Sequence, residues 1–281
     1  MMLDKKIDFA VLVSVTNANP NGDPLNGNRP RTDYKGFGEM SDVCIKRKIR
    51  NRMQDMGYDI FVQSDDRRND DAICLKDRAK PLQKIKEQDE FARVACEKWL
   101  DVRAFGQVFA FSDKSFGCAS VGVRGPVSIH QAVSVDPVEA YSMQITKSVS
   151  GERKSEQERG SDTMGMKHFV RFGLYQIKGS INVQLAEKTG FTQEDAQVVK
   201  EALRTLFVND VSSARPDGSM EVIRVYWWEH NCKDGQYSSA KVHRLLKVRQ
   251  KEGMNEPASV EDYCIELDEL PGLSCEVIEG I

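Results

Sequence analysis

KKIDFAVLVSVTNANPNGDPLNGNRPRTD, residues 5–33, joins an apolar run to a loop crowded with Asn, Gly and Pro. Residues 5–15 alternate loosely and are rich in Val, Ile and Phe, a pattern that predicts a β-strand. The loop, Asn19 to Asp33, then carries two arginines and leads toward a basic segment. Such a loop can cradle a phosphate on its backbone amides, hold a metal, or simply turn the chain. It is not a Walker A loop, because Gly22 and Gly27 are followed by Asn28, Arg29 and Pro30, where the motif needs Lys and then Ser or Thr directly after the second Gly. Nor is it an EF-hand loop. With Asn17 at position 1, Asn28 falls at position 12, where a bidentate Glu is needed. A flexible strand-to-helix connection remains, with amides and Arg29/Arg31 placed to lie against phosphates. A long turn-rich connection without a ligand is the plain alternative.

The segment that follows reads as a helix. Ser41 has the character of an N-cap, and Asp42 falls in the first turn. Ile45, Ile49, Met53 and Met56 recur on one face, and Gly57 is a stop. The other faces carry Lys46, Arg47, Lys48, Arg50 and Arg52, almost without acids between them. Lys46/Arg50 and Lys48/Arg52 are like-charged pairs one turn apart, each costing a few tenths of a kcal/mol of helix stability. A helix that tolerates this beside an Asn/Gly/Arg loop either meets an anion or is a solvated surface. Together, loop and helix make a basic patch suited to an extended phosphate backbone.

Residues 58–106 are polar and then helical in periodicity, which predicts a small helical insertion. Residues 107–147 return to strand-like patterning. The stretch 150–165 has no apolar residue before Met164 and is expected to be a hairpin tip or mobile loop. Residues 168–186 predict two strands broken at Lys178-Gly179, Thr192 caps a second helix, and residues 222–230 form a further strand. With its insertions set aside, the order is β–α–β–β–α–β, the ferredoxin-like arrangement of RNA-recognition motifs. The fold class expected is therefore α+β. No RNP1 octamer occurs, and the aromatics of KHFVRFGLY (167–175) fit a strand core. Backbone holding is expected, not base reading.

The net charge of −3 conceals an asymmetry. Nine of the 43 acids lie beyond Lys251, where there is no Lys or Arg, so residues 1–251 hold 40 bases against 34 acids, a balance of +6. A polyanion-binding body with an acidic segment elsewhere is one reading, and a solvated acidic tail is the other. Seven scattered cysteines without CxxC spacing and four scattered histidines argue against a disulfide framework or a zinc site. No apolar run spans a membrane, and Asn17-Ala18-Asn19-Pro20 is a poor signal cleavage site, so a cytoplasmic protein is expected. Asp23 and Asp33 are the loop's only acids; a Mg²⁺-binding pair or a partner for a neighbouring Arg are the two readings.

NPNGDPLNGNRPRTD followed by SDVCIKRKIRN (41–51) resembles the guide-RNA (crRNA)-coating backbone subunit of type I CRISPR interference complexes, Cascade. The likeness is to the Cas-seven family, closest to its subtype I-C branch. Ala104-Phe105-Gly106-Gln107, SVGVRGPVSIHQAVSVDPV (120–138) and MKHFVRFGLY (166–175) agree with it. The resemblance implies an RRM-like palm (1–57, 107–146 and 168–281), a helical fingers insertion (58–106) and a thumb hairpin (147–167). It implies copies stacked head to tail along crRNA, presenting the guide to target DNA beside other Cascade subunits, with no membrane, metal or cofactor. Thumbs interrupt the guide–target duplex at intervals, without sequence reading and without catalysis. Related type III backbone subunits cut RNA with an Asp in this loop, so a metal-dependent endoribonuclease using Asp33 or Asp23 is the alternative. On the palm, the residues assigned to RNA are Asn19, Asn21, Asn28, Arg29, Arg31, Lys46, Arg47, Arg50 and Arg52. On the thumb they are Lys147, Arg153, Lys154, Met166 and Lys167. Met164 and Met166 are flexible apolar groups able to wedge between bases; a hinge packing on its own subunit is the alternative.

Overall fold

A computed structural model describes residues 1–111, 116–118, 120–147, 149 and 164–281. The opening apolar run forms strand β1 (Ile7–Ala18). Its alternation is loose because both of its faces are buried. Phe9, Val11, Val13 and Val15 enter one core, whereas Ala10 and Leu12 enter another on the opposite side. A strand covered on both faces needs no polar alternation.

The strands that matter to the frame besides it are β2 (Phe37–Met40), β3 (Val127–Ile129), β4 (Ala132–Pro137), β5 (Ala140–Thr146), β6 (Met164–Ile181), β7 (Met220–Glu229), β8 (Leu246–Gln250), β9 (Tyr263–Leu267) and β10 (Cys275–Glu279). The main sheet is antiparallel in the order β10–β7–β1–β6–β4–β2, with β3 and β5 also paired to β6. Helices α1 (Asp42–Asp55), α2 (Gln88–Lys98), α3 (Leu100–Phe105), α4 (Val183–Thr189) and α5 (Gln193–Arg204) complete the frame. Ile45, Ile49 and Met53 of α1 and Val198, Val199 and Leu203 of α5 share the core behind β1. Ser41 caps α1 as expected, accepting the Cys44 N–H at 3.2 Å. Thr192 and Asp195 form a capping box on α5.

The expected break at Lys178-Gly179 does not occur. β6 runs unbroken to Ile181 and pairs with β1 from Ile7↔Ile181 to Ala18↔Val170. Gly179 is there for space, because the Phe9 ring and the Ser128 carbonyl fill the volume a Cβ would need. The residues after it turn helical, with the Asn182 side chain accepting from Leu185 N–H at 2.8 Å to start α4.

The segment after α1 builds its own core from Phe61, Phe91, Trp99 and Val102. That core continues through Phe109, Phe116 and Val121, past the boundary expected at residue 106. The acidic C-terminal stretch is folded, not a free tail. β10 lies on the sheet edge, and Glu276 and Glu279 pair with Lys200 and Arg224 at 2.7 and 2.8 Å. Glu266 pairs with Arg249 at 2.7 Å and Asp268 with Lys247 at 2.5 Å. Four of the nine acids beyond Lys251 thus meet cations from the rest of the chain. Among the described residues, no helix is long and apolar enough to cross a membrane.

Candidate nucleic-acid interface

The opening loop is closed by its own asparagines. Asn19 is buried, and its Nδ2 donates to the Asn28 carbonyl at 2.7 Å. Asn28 is exposed and left-handed, at φ +59°, a region Asn tolerates better than most residues. Asn21 Oδ1 accepts the Ser41 N–H at 2.9 Å, which fastens the loop to the start of α1. Arg29 is exposed; Arg31 is half-buried, with Nη2 3.4 Å from Asp23 and a buried Nε that has no partner among the described residues. Leu25 and Tyr34 stand out at 97% and 91% exposure.

Both loop acids are engaged. Asp23 Oδ1 accepts the Leu25 N–H at 3.2 Å, capping a short turn, and also faces Arg31. Asp33 Oδ1 accepts the N–H groups of Lys35 and Phe37 at 2.8 and 2.9 Å. Among the described residues, no cluster of three His, Cys, Asp or Glu side chains is placed to hold a metal.

The positive charge of α1 is met partly by acids of its own helix and partly by acids from distant segments. Lys46 pairs with Asp42 at 2.9 Å. Arg47 Nη1 donates to the Val62 carbonyl at 2.6 Å. Lys48, only 4% exposed, pairs with Asp210 and lies 5.5 Å from the Phe207 ring. Arg50 Nε donates to the fully buried Asp101 at 2.8 Å, over the Phe105 ring. Arg52 reaches Thr205 Oγ1 and Asp55 Oδ2, both at 3.0 Å. Arg47, Arg50 and Arg52 therefore spend donors inside the fold, whereas Lys46 pairs only within its own helix and lies nearer solvent. Burial draws the Arg47 guanidinium below its ordinary value, and Arg50 beside it acts in the same direction.

The β5–β6 hairpin forms an arm. Met166 faces Gln144 across the pair, and Met164 faces Thr146. Met164 and Met166 are 68% and 54% exposed on the same face of the hairpin. Lys147 is exposed at its end. Lys167 Nζ donates back to the Ser213 carbonyl at 3.4 Å. Arg153 and Lys154 lie outside the described residues.

That contact exposes what sequence reasoning missed. The loop Asn209–Arg215 is where the opening loop, α1 and the arm converge. Asn19 N–H donates to the Ala214 carbonyl at 2.9 Å, Lys48 binds Asp210, and Lys167 reaches Ser213. Its only signal in the sequence was a polar, turn-rich run, VNDVSSARPDG (208–218), with one arginine.

The profile of the family described as "CRISPR-associated protein Cas7" matches residues 5–268. The chain belongs to the Cas7 family. A CRISPR-associated protein Cas7 of Haloferax volcanii (strain DS2) is 26% identical over 274 residues, covering 90% of this chain and 77% of the relative. A chain of a solved "CRISPR RNA-guided surveillance complex, pre-nicking" shares the fold, with a TM-score of 0.51 and 18% identity, over 84% of this chain and 81% of that one.

Proposed function

We propose that the chain is the crRNA-binding backbone subunit of a type I Cascade surveillance complex, of subtype I-C, coating its guide as a head-to-tail, non-catalytic filament in the cytoplasm. The observation that carries the reading is the convergence of the Asn/Gly/Arg loop, the basic α1 and the base of the β5–β6 arm, in a member of the Cas7 family. A protein that serves any guide has to grip phosphate and sugar and ignore base identity. Amides, Arg29, Arg31, Lys46 and Arg47 suit that task. The core order β7–β1–β6–β4, with α1 and α5 sharing one core, supports a ferredoxin-like palm. The segment 58–106 with its own core is assigned as fingers, and 147–167 as the thumb. The opening motif carries the finer assignment to subtype I-C. Neighbouring copies, other Cascade subunits and target DNA paired to the guide are the partners this reading requires.

The ribonuclease alternative has less support. Asp33 and Asp23 already accept backbone N–H groups, and Asp23 also faces an arginine.

The test is size-exclusion chromatography with light scattering, with and without a guide-length single-stranded RNA and Mg²⁺, and a gel for RNA integrity. A discrete multi-subunit complex on intact RNA is expected. A single bound copy overturns the filament, and cleavage of the RNA with Mg²⁺ that disappears when Asp33 and Asp23 are changed to Ala overturns the non-catalytic assignment.

A further inference from the structure

A cleft of about 270 Å³ opens between α1, the Ser64–Arg67 segment and the Asn209–Arg215 loop. Arg47, Lys48, Arg67 and Arg215 line it, against two carboxylates, Asp66 and Asp210. Asn51 lines it too, and its Oδ1 is buried without a hydrogen-bond partner among the described residues. The cleft is thus positively charged and holds an amide with capacity to spare; an Asn amide turns over to present its NH₂ instead.

Asp210 sits among these cations. Its Oδ2 takes both Lys48 Nζ and Arg215 Nε, the latter at 3.2 Å. Two cations from different segments on one oxygen is the arrangement a phosphate oxygen meets at an anion site. Arg47 gives Nη1 to Val62 and Arg215 gives Nε to Asp210, and a guanidinium has five N–H donors in a fork. Arg67 gives Nη1 to Asp55 at 2.6 Å, just outside the lining, so four cations face three carboxylates and the neighbourhood keeps an excess of positive charge. Burial and the nearby Arg215 both draw the Lys48 ammonium down, against the pull of Asp210.

We propose that this cleft is a seat for one phosphate, and that Asp210 is an internal anion that fills it until a phosphate displaces it. The inference rests on the RNA reading in one respect: the phosphate is taken to belong to an RNA backbone. Asp210 and the incoming phosphate compete for the same donors. A free phosphate has only its own affinity to set against the carboxylate. A phosphate carried on a strand already held by neighbouring contacts arrives at a high effective concentration. The competitor therefore selects for a long polyanion over small anions.

The test uses the full chain with Asp210→Asn and Arg215→Gln. Binding of a fluorescent single-stranded RNA is followed by anisotropy over a salt series, and inorganic phosphate is titrated separately by calorimetry. Asp210→Asn, which keeps an oxygen for Lys48, is expected to bind RNA about threefold or more tightly, because a like charge has left the seat. Its log–log salt slope is expected to steepen, and that of Arg215→Gln to flatten, the latter by about 0.7, one phosphate on a single strand. Inorganic phosphate is expected to bind Asp210→Asn and not the parent chain. If the parent binds RNA but both variants match it in affinity and slope, the seat is refuted and the coat-protein reading stands. If the parent ignores RNA while Asp210→Asn gains phosphate binding that Arg215→Gln abolishes, the seat stands for a free phosphate and the RNA reading falls. Should Asp210→Asn melt far below the parent, Arg215→Gln decides alone: an unchanged slope overturns the proposal.

Discussion

Asn19 closes the opening loop onto Asn28 and ties it to a second segment, Nδ2 to the Asn28 carbonyl at 2.7 Å and N–H to the Ala214 carbonyl at 2.9 Å. Asn19 is buried but Asn28 is exposed, so water replaces the lost donor at the Asn28 carbonyl. Asn19→Ala is expected to cost about 0.5–1.5 kcal/mol, the net worth of one intramolecular hydrogen bond. Urea unfolding measures that. The same variant is expected to weaken RNA binding, because Asn28 and Arg29 lose their anchor while keeping their own side chains. Full affinity in a destabilised Asn19→Ala would show that loop rigidity plays no part in binding.

Asp101 is the hub beneath α1. It is fully buried and accepts Arg50 Nε at 2.8 Å together with the N–H groups of Phe61 and Val62 at 2.7 and 3.1 Å. Removing it strands a buried guanidinium and two amides, so Asp101→Ala is expected to cost about 3–5 kcal/mol. Arg50→Ala is expected to cost less, because Asp101 keeps its two backbone donors. Charge reversal at Arg50 therefore reports first on folding, and a loss of RNA binding there has meaning only beside a melting curve. Equal stability of Arg50→Ala and the parent chain would refute the ion pair's structural role.

Local rules carried much of this fold from the sequence. Ser41 and Thr192 cap the helices that their positions announce, and Ile45, Ile49 and Met53 are buried as their spacing requires. β1 was legible as a strand because residues 5–15 alternate loosely and are rich in Val, Ile and Phe. What sequence could not supply was tertiary. Gly179 looks like a break until the Phe9 ring is seen filling the space beside it. The charges of α1 look unbalanced until Asp101 and Asp210 arrive from 51 and 162 residues away. The same holds for the acidic C-terminal stretch, whose partners Lys200 and Arg224 lie on another helix and strand. The loop Asn209–Arg215 carries no motif at all, and only packing brings it beside Asn19, Lys48 and Lys167.

Asp8 gives a pH dependence that can be measured. It is buried on β1, and its Oδ2 accepts His230 Nε2 and Lys6 Nζ, both at 2.8 Å. The Gln236 N–H donates to His230 Nδ1 at 2.9 Å, which leaves the ring proton on Nε2, facing Asp8. Burial raises the Asp8 carboxyl, but hydrogen bonds from His230, Lys6 and Ser239 outweigh it and hold it below its ordinary value. A lowered native value means stability that is fully present above the unfolded carboxyl's pKa, near 3.9, and is lost as pH falls through the native one. Asp8→Asn is expected to lower stability at pH 7 by on the order of 1–2 kcal/mol. Below pH 4 the gap between variant and parent should narrow. A gap that stays constant from pH 7 to pH 3 would assign the loss to packing and not to charge.

The arm separates assembly from stability. Met164 and Met166 project from one face of the β5–β6 hairpin with more than half their surface open. A side chain that buries little in the monomer contributes little to its stability, so Met164→Ser with Met166→Ser is expected to shift the melting temperature by no more than a degree or two. If the arm reaches a neighbouring copy or its RNA, the same pair buries apolar surface only in the assembly. The double variant should then form shorter or irregular complexes on guide-length RNA while binding a short oligonucleotide as the parent does. Light scattering on both RNAs reads this directly. Normal complexes from the double variant would place the subunit junction away from the arm, whereas a large drop in melting temperature would show that the two methionines pack within their own subunit.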